Sequence, residues 1–269
     1  MCILNLLSSK MVRSFEKVRE EEINIIMGKL KKASSSSSSV NLSEILMTLA
    51  NDIICRVSLG RKYSVEESGI DVKSTMKEIM ELLGTFPLGE YIPSLACIDR
   101  FRGVGDKMDE VNNKFNGFVE RVVQEHIDAD KGRSDFVDIL LSIQRDKSLP
   151  DFDRKNLKLI LWEMFIAGTT TTSSTLEWRM TMLIKYPECM RKLQEERHFD
   201  SPLDFKGQHF MYIPFGSGRR MCPGVGFGVA LVEVTLANLV KRYNWRVQSQ
   251  PSGDEYDLAE AASFELSSQ

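Results

Sequence analysis

A mainly α protein with little β structure is what this sequence predicts, and three observations carry the prediction. Apolar residues recur at helical spacing through most of the chain. The runs are punctuated by helix caps and stops, among them Asn41, Gly60 and Pro187. Strand-like signals are sparse, confined to 208–214 and the tail after Trp245, and no repeat of fixed period occurs.

Taken in order, a charged amphipathic pattern from Met11 to about Lys32 predicts a helix running into the polar stretch Ser34–Ser39, expected as a flexible loop. Asn41 with Glu44 three residues on makes a start resembling a capping box. Leu42, Ile45, Leu46, Leu49, Ile53 and Val57 mark one apolar face, closed by Gly60. Further helices are expected at 70–83, 104–128 and 134–145. In the second of these Val104, Met108, Val111, Phe115, Phe118 and Val122 form a stripe whose reading is core packing. A long helix should span about Asp153 to Lys185, stopped by Pro187, with a short one at 188–197. Pro223 is expected as the first residue of a last helix, with Val229, Val232, Leu236, Leu239 and Val240 on its apolar face, ending near Tyr243.

Composition narrows the function. The chain has 269 residues, 42% hydrophobic and 27% charged, enough for a sizeable core. Its 35 basic and 38 acidic residues leave a net charge of −3, without the basic excess of a nucleic-acid binder. Five cysteines, an odd number at irregular spacing, argue against a secreted disulfide framework. The literal sequon Asn41-Leu42-Ser43 is better explained as a helix cap. No run approaches 18 apolar residues, and "MCILNLLSSK" lacks the basic region of a signal peptide.

The long helix contains "AGTTTTSST", Ala167 to Thr175. One glycine, five threonines and two serines in a helix interior cost several kcal/mol on an order-of-magnitude count. Such a conflict marks function or close packing. Either small residues admit a neighbouring helix while threonine hydroxyls bond back to the preceding turn, or a flat ligand lies against the helix and a hydroxyl faces it across a locally opened turn.

Around Cys222 the spacing is Phe215-x-x-Gly218-x-Arg220-x-Cys222-x-Gly224. Each type has a role if the thiolate binds a metal. A helix beginning at Pro223 would favour an anionic sulfur at its N-terminus. Gly218 and Gly224 let the backbone turn around the sulfur. Arg220 can reach a carboxylate of a bound cofactor, and Phe215 can exclude water from the sulfur. Rival readings fit less well. "GVGFG" lacks the strand-turn-helix setting of a dinucleotide site. A zinc site from Cys189, His198, His209 and Cys222 lacks paired ligand spacing. A Cys222–His209 nucleophile would leave the arginines and Phe215 idle.

The pattern from Phe215 to Gly224 resembles the haem-thiolate loop of cytochromes P450, and "AGTTTT" resembles that family's oxygen-activation helix. "DFKGQHFMYIPFGSGRRMCPG" is similar to plant microsomal members of the 71 clan. The resemblance extends over nearly the whole chain. It implies a partial cytochrome P450 fold: a long central helix, a haem-thiolate loop and the helix after it. It implies haem b with iron ligated by Cys222, a propionate contact from Arg220, and Phe215, Gly218, Gly224 and Ala167 beside the cofactor. Gly168, Thr170 and Thr171 are the implied catalytic positions, with Thr171 the distal threonine that aids O–O cleavage. Electrons would come from NADPH through cytochrome P450 reductase, to oxygenate a small lipophilic substrate at the endoplasmic reticulum membrane.

Departures accompany the matches. Thr170 stands where the family has an acid. The family's Glu-x-x-Arg helix and the segment after it should lie between the helix near Glu188 and the cysteine loop, where only about twenty residues remain. An internal deletion near 196–199 within a single partial domain is therefore expected. The literal matches Glu16…Arg19 and Glu188…Arg191 fall in the wrong helices, and Arg197 is left as a candidate scrap of the arginine motif. The start and the tail "FELSSQ" are read as truncated, without the family's membrane anchor. Two functional classes stand: a haem monooxygenase, or an inactive remnant that binds haem weakly or not at all.

Overall fold

The computed structural model describes residues 6–36, 38–129, 135–146, 151–195, 212–247 and 263–268. Helix dominates, as the periodicity predicts. The first expected helix is two: α1 (Ser9–Ser14) and α2 (Glu16–Ser35), parted at the buried Phe15. Ser34 and Ser35 are helical, so the polar stretch leaves the helix only at Ser36. The reason is local: Ser35 Oγ donates to the Lys31 carbonyl at 2.9 Å and Ser36 Oγ to that of Lys32 at 3.1 Å, which satisfies the last carbonyls of the helix. After β1 (Val40–Asn41) comes α3 (Leu42–Leu59), capped by Asn41, whose Oδ1 accepts the Glu44 N–H at 3.0 Å. Gly60 ends it in the left-handed region at φ 74°.

α4 (Val65–Ser68), with a capping box between Ser64 and Glu67, is too short for any periodicity to announce; α5 (Val72–Leu83) is the helix expected at 70–83; α6 (Leu88–Tyr91) and α7 (Ala96–Phe101) are again too short. Then come α8 (Val104–Ala129), α9 (Phe136–Arg145), α10 (Arg154–Lys185), α11 (Pro187–Glu195) and α12 (Val225–Arg242), each near its expected bounds. Two strands, β2 (Tyr243–Val247) and β3 (Ser263–Ser268), complete an antiparallel sheet in the order β1-β3-β2. Residues 212 and 213 form no strand, and the rest of the expected strand up to 211 lies outside the described residues.

The chain divides into two compact units. In the unit Ala50–Thr171 the core is aromatic. Phe115 meets Phe118, Trp162 and Phe165 edge-on at centroid distances of 6.1, 4.4 and 5.5 Å. Trp162 Nε1 donates to Asn116 Oδ1 at 3.1 Å. The expected stripe on α8 is buried as core, save Met108, which is 39% exposed.

In the unit formed by 1–49 and 172–269 the core gathers Ile23, Ile26, Met27 and Leu30 of α2, Leu176 and Met180 of α10, and Phe227, Leu231, Leu239 and Val240 of α12. Tyr243 donates its hydroxyl to the Met27 carbonyl and Trp245 its Nε1–H to that of Leu239, both at 3.0 Å. On α12 the fully buried line is Phe227, Leu231, Thr235 and Leu239. Val229, Val232 and Leu236, expected on the core face, are only half-buried.

Candidate functional site

Cys222 sits in a tight loop closed on itself. Its N–H donates to the Phe215 carbonyl at 2.8 Å; inside that bracket the Met221 N–H donates to the Gly218 carbonyl at 3.2 Å, and across its start the Gly216 N–H donates to the Ile213 carbonyl at 3.0 Å. Gly216 and Gly218 both adopt φ 70°, which a side chain strains. Gly216 is a position the sequence reading passed over, although a second glycine two residues before Gly218 was the available signal. The thiol is free and half-exposed. Arg220 closes the short 3-10 turn Gly218–Arg220, is exposed, and has no hydrogen-bond or ion-pair partner among the described residues. Phe215 is half-buried.

Two expectations about this loop are corrected. α12 begins at Val225 with Gly224 as its cap, so Pro223 is a turn residue before the helix rather than its first residue. The Gly224 N–H is free of that helix while its carbonyl accepts Gly228 N–H at 2.8 Å, which is how a cap behaves. Gly224 takes φ −87°, open to any residue, and a Cβ there would lie 3.8 Å from Cys222 Sγ, an ordinary contact. The turn around the sulfur therefore rests on Gly216 and Gly218, not on Gly224. The sulfur still lies beside the first turn of α12, where helix amides favour an anion.

The second group lies on α10. The helix is continuous from Arg154 to Lys185, so no turn is opened around the threonines. Thr170 Oγ1 donates to the Ile166 carbonyl at 3.1 Å, and Thr171 Oγ1 donates to that of Ala167. Gly168 meets α3: a Cβ there would stand 2.5 Å from Ile54 Cδ1, in a side chain only 1% exposed. Gly168 and the back-bonded hydroxyls thus match the close-packing reading of "AGTTTTSST". Thr170 is buried, whereas Ala167 and Thr171, one turn apart, are exposed on one side of the helix. That exposed side is what α10 offers a ligand.

Both literal Glu-x-x-Arg matches are structural. Arg19 is buried, donates to the Val12 carbonyl at 2.7 Å and stands 5.8 Å over the Phe227 ring. Arg191 pairs with Glu188 at 3.0 Å and Glu195 at 2.8 Å on an exposed helix face, a contact of small energetic weight. Arg197, His198 and His209 lie outside the described residues.

One buried ionisable cluster escaped the sequence reading. His126 Nδ1 is 2.7 Å from the Val122 carbonyl and Nε2 is 3.2 Å from the Asp135 carboxylate. Both partners are acceptors, so the protonated ring, with a donor on each nitrogen, satisfies both. Burial pushes its pKa down, but the hydrogen bonds to Asp135 and Val122 and the charges of Asp135 and Asp138 outweigh it, and the net shift is upward. With both nitrogens engaged, the ring locks the end of α8 to the cap of α9.

The comparisons with known proteins place the chain in one family. The family model for Cytochrome P450 matches residues 1–199 and again 196–262. The chain is 44% identical to Cytochrome P450 71A14 of Arabidopsis thaliana, over 98% of this chain and 71% of that protein. It is 45% identical to Cytochrome P450 71A20, over 97% and 70%, and 41% identical to Indoleacetaldoxime dehydratase, over 98% and 71%, both from the same plant. The alignment with 71A14 runs over 353 positions against the 269 residues of this chain, a surplus of at least 84. With its family model matched from residue 1 to 262 and relatives above 40% identity, this chain belongs to the cytochrome P450 family.

Proposed function

We propose that this chain is a haem-thiolate monooxygenase in which Cys222 is the proximal ligand of haem b. The observation that carries the reading is the half-exposed, free sulfur of Cys222, held in a loop bracketed by the 2.8 Å bond from its own N–H to Phe215. The donor set fits the group. A thiolate beside a helix start is a suitable soft ligand, and the unpaired guanidinium of Arg220 can take a propionate. Bound there, the haem supplies a redox iron for reducing O2 with electrons from NADPH through a reductase, one oxygen atom passing to a lipophilic small molecule.

The protein's own residues have narrower tasks. The Phe215 carbonyl closes the loop by accepting the Cys222 N–H, and Gly216 and Gly218 hold the backbone in the turn that presents the sulfur. On α10, Thr171 offers an exposed hydroxyl whose proton goes to the Ala167 carbonyl and whose oxygen is left to accept from water. Thr170 has no proton to give near neutrality where the family has a carboxylate, and it is turned into the core. It packs rather than relays. Residence at the endoplasmic reticulum membrane belongs to the same proposal. Among the described residues no helix is long and apolar enough to cross a membrane.

A second reading, an inactive remnant with weak or no haem binding, is favoured by one observation. The family model matches as two stretches meeting at 196–199, and the alignment with 71A14 spans 353 positions against the 269 residues of this chain, which supports the internal deletion expected near 196–199. The reduced CO complex separates the readings. The haem-thiolate protein should give a thiolate-type Soret band in the parent and lose it in Cys222→Ser, because serine is far less acidic and a harder ligand. Absence of the band in the parent supports the remnant. A band unchanged in the variant refutes ligation by Cys222.

A further inference from the structure

Within the unit Ala50–Thr171, three side chains of metal-ligand type meet where the end of α8 reaches the cap of α9. His126 and Asp135 are 4% and 3% exposed, and Asp138, in the first turn of α9, is half-buried. One ring nitrogen and one oxygen of each carboxylate all lie within 4.8 Å of one another. Acidic residues gathered on a surface would mean little. Here an imidazole stands with two carboxylates inside the protein, where an uncompensated charge is costly. Two carboxylates exceed one imidazolium in charge, and a divalent cation in place of the ring proton would offset the excess.

Two features of the geometry suit an ion better than a hydrogen bond alone. The other atoms of the two buried groups are already held: His126 Nδ1 donates to the Val122 carbonyl at 2.7 Å, and Asp135 Oδ1 accepts the Asp138 N–H at 3.0 Å. A ring fixed through one nitrogen by a backbone carbonyl is how metal-ligating histidines are oriented. His126 Nε2 and an Asp135 oxygen then face each other at 3.2 Å. A charge-assisted hydrogen bond closes to about 2.7–2.9 Å. Neighbouring ligands of a tetrahedral zinc ion, bound at 2.0–2.1 Å, stand about 3.3 Å apart.

We propose that His126 Nε2, Asp135 Oδ2 and a carboxylate oxygen of Asp138 form a zinc site that ties α8 to α9. The mixed nitrogen and oxygen set suits zinc, whereas magnesium and calcium take oxygen ligands. No pair of ligand atoms needs to close by more than about 1.5 Å, which rotation of the Asp138 side chain supplies. The half-buried Asp138 gives the ion a way in, and water takes the fourth position. Zinc replaces the proton on Nε2, which passes to solvent. The site involves neither Cys222 nor haem and does not rest on the haem-thiolate reading.

The test titrates the full chain with zinc chloride against a chromophoric chelator and records X-ray absorption at the zinc edge. The first equivalent should show nitrogen and oxygen ligands at about 2.0–2.2 Å and no sulfur at about 2.3 Å. Zinc at a hundred times its Kd should raise the melting temperature by about 5 °C. Asp138→Asn keeps the backbone N–H that bonds Asp135 Oδ1, so it should leave the zinc-free melt unchanged and weaken zinc binding ten-fold or more. Cys222→Ser should bind zinc as the parent does. Failure of the parent to retain zinc, or equal affinity in Asp138→Asn, would overturn the proposal and leave the cluster a hydrogen-bonded ion pair. Should Asp138→Asn not fold, the absorption spectrum of the parent decides, because a first equivalent ligated by sulfur would place the ion at a cysteine and equally overturn the site.

Discussion

At position 168 a hydrogen atom stands where any other residue carries a β-carbon, and Ile54 fills the space. A Cβ would lie 2.5 Å from Ile54 Cδ1 and 3.1 Å from its Cγ1. Alanine is favoured in a helix by about 1 kcal/mol over glycine, whereas overpacking a core costs about 1–3. Gly168→Ala should therefore lower stability in thermal melts, and adding Ile54→Val, which removes Cδ1, should recover most of the loss. A cost unchanged by Ile54→Val would mean the contact is not the cause. His126 makes a different claim at the same scale. Its folded pKa lies above the ordinary value of 6.5, so the folded state holds the proton more tightly than the unfolded chain. The stability it contributes is complete below about pH 6.5 and is lost as pH rises through the folded value. The melting temperature should fall on going from mildly acidic to alkaline pH, and His126→Gln should flatten that slope. An equal slope in the variant would assign it to other groups.

Among the elements, the cysteine loop and α10 show how local conflict is absorbed. In the loop, two positive-φ glycines hold a turn that the bond from Cys222 N–H to Phe215 closes. Gly218→Ala places a side chain at φ 70°, at a cost of about 1–2 kcal/mol. It should speed exchange of the Cys222 amide by roughly ten-fold or more. Gly224→Ala, at φ −87° with 3.8 Å of room, should leave that rate nearly unchanged. Equal acceleration by both would place the strain elsewhere. On α10 the hydroxyls of Thr170 and Thr171 bond back within the helix, and Gly168 admits α3. The penalty of propensity is offset by packing, which is the usual way tertiary structure overrides it.

For the whole molecule, haem is the lever that separates an enzyme from a remnant. A ligand bound only by the folded state stabilises it by about 2.7 kcal/mol at a hundred times its Kd. Under the haem-thiolate reading, haem should raise the melting temperature of the parent and do so far less for Cys222→Ser. Without haem the exposed Trp178, Met182 and Tyr186 side chains favour association and a broad transition. A sharp melt of soluble monomer with no response to haem would contradict both readings.

Periodicity by itself determined that this protein is a helical chain, and a specific loop pattern determined its family, because both are written in short-range spacing. Seven of the helices had their approximate bounds in the sequence for the same reason. α4, α6 and α7, at four to six residues, are too short to show a period and form where caps and neighbours permit. The two-residue shift of the α12 start was also invisible, because proline marks a turn as readily as a first helical position. Tertiary structure alone decided that Gly168 faces Ile54, that Thr170 turns inward while Thr171 stays exposed, and that His126 finds Asp135. Each depends on which side of a helix another element covers, and that is set by packing between residues distant in the chain rather than by their order along it.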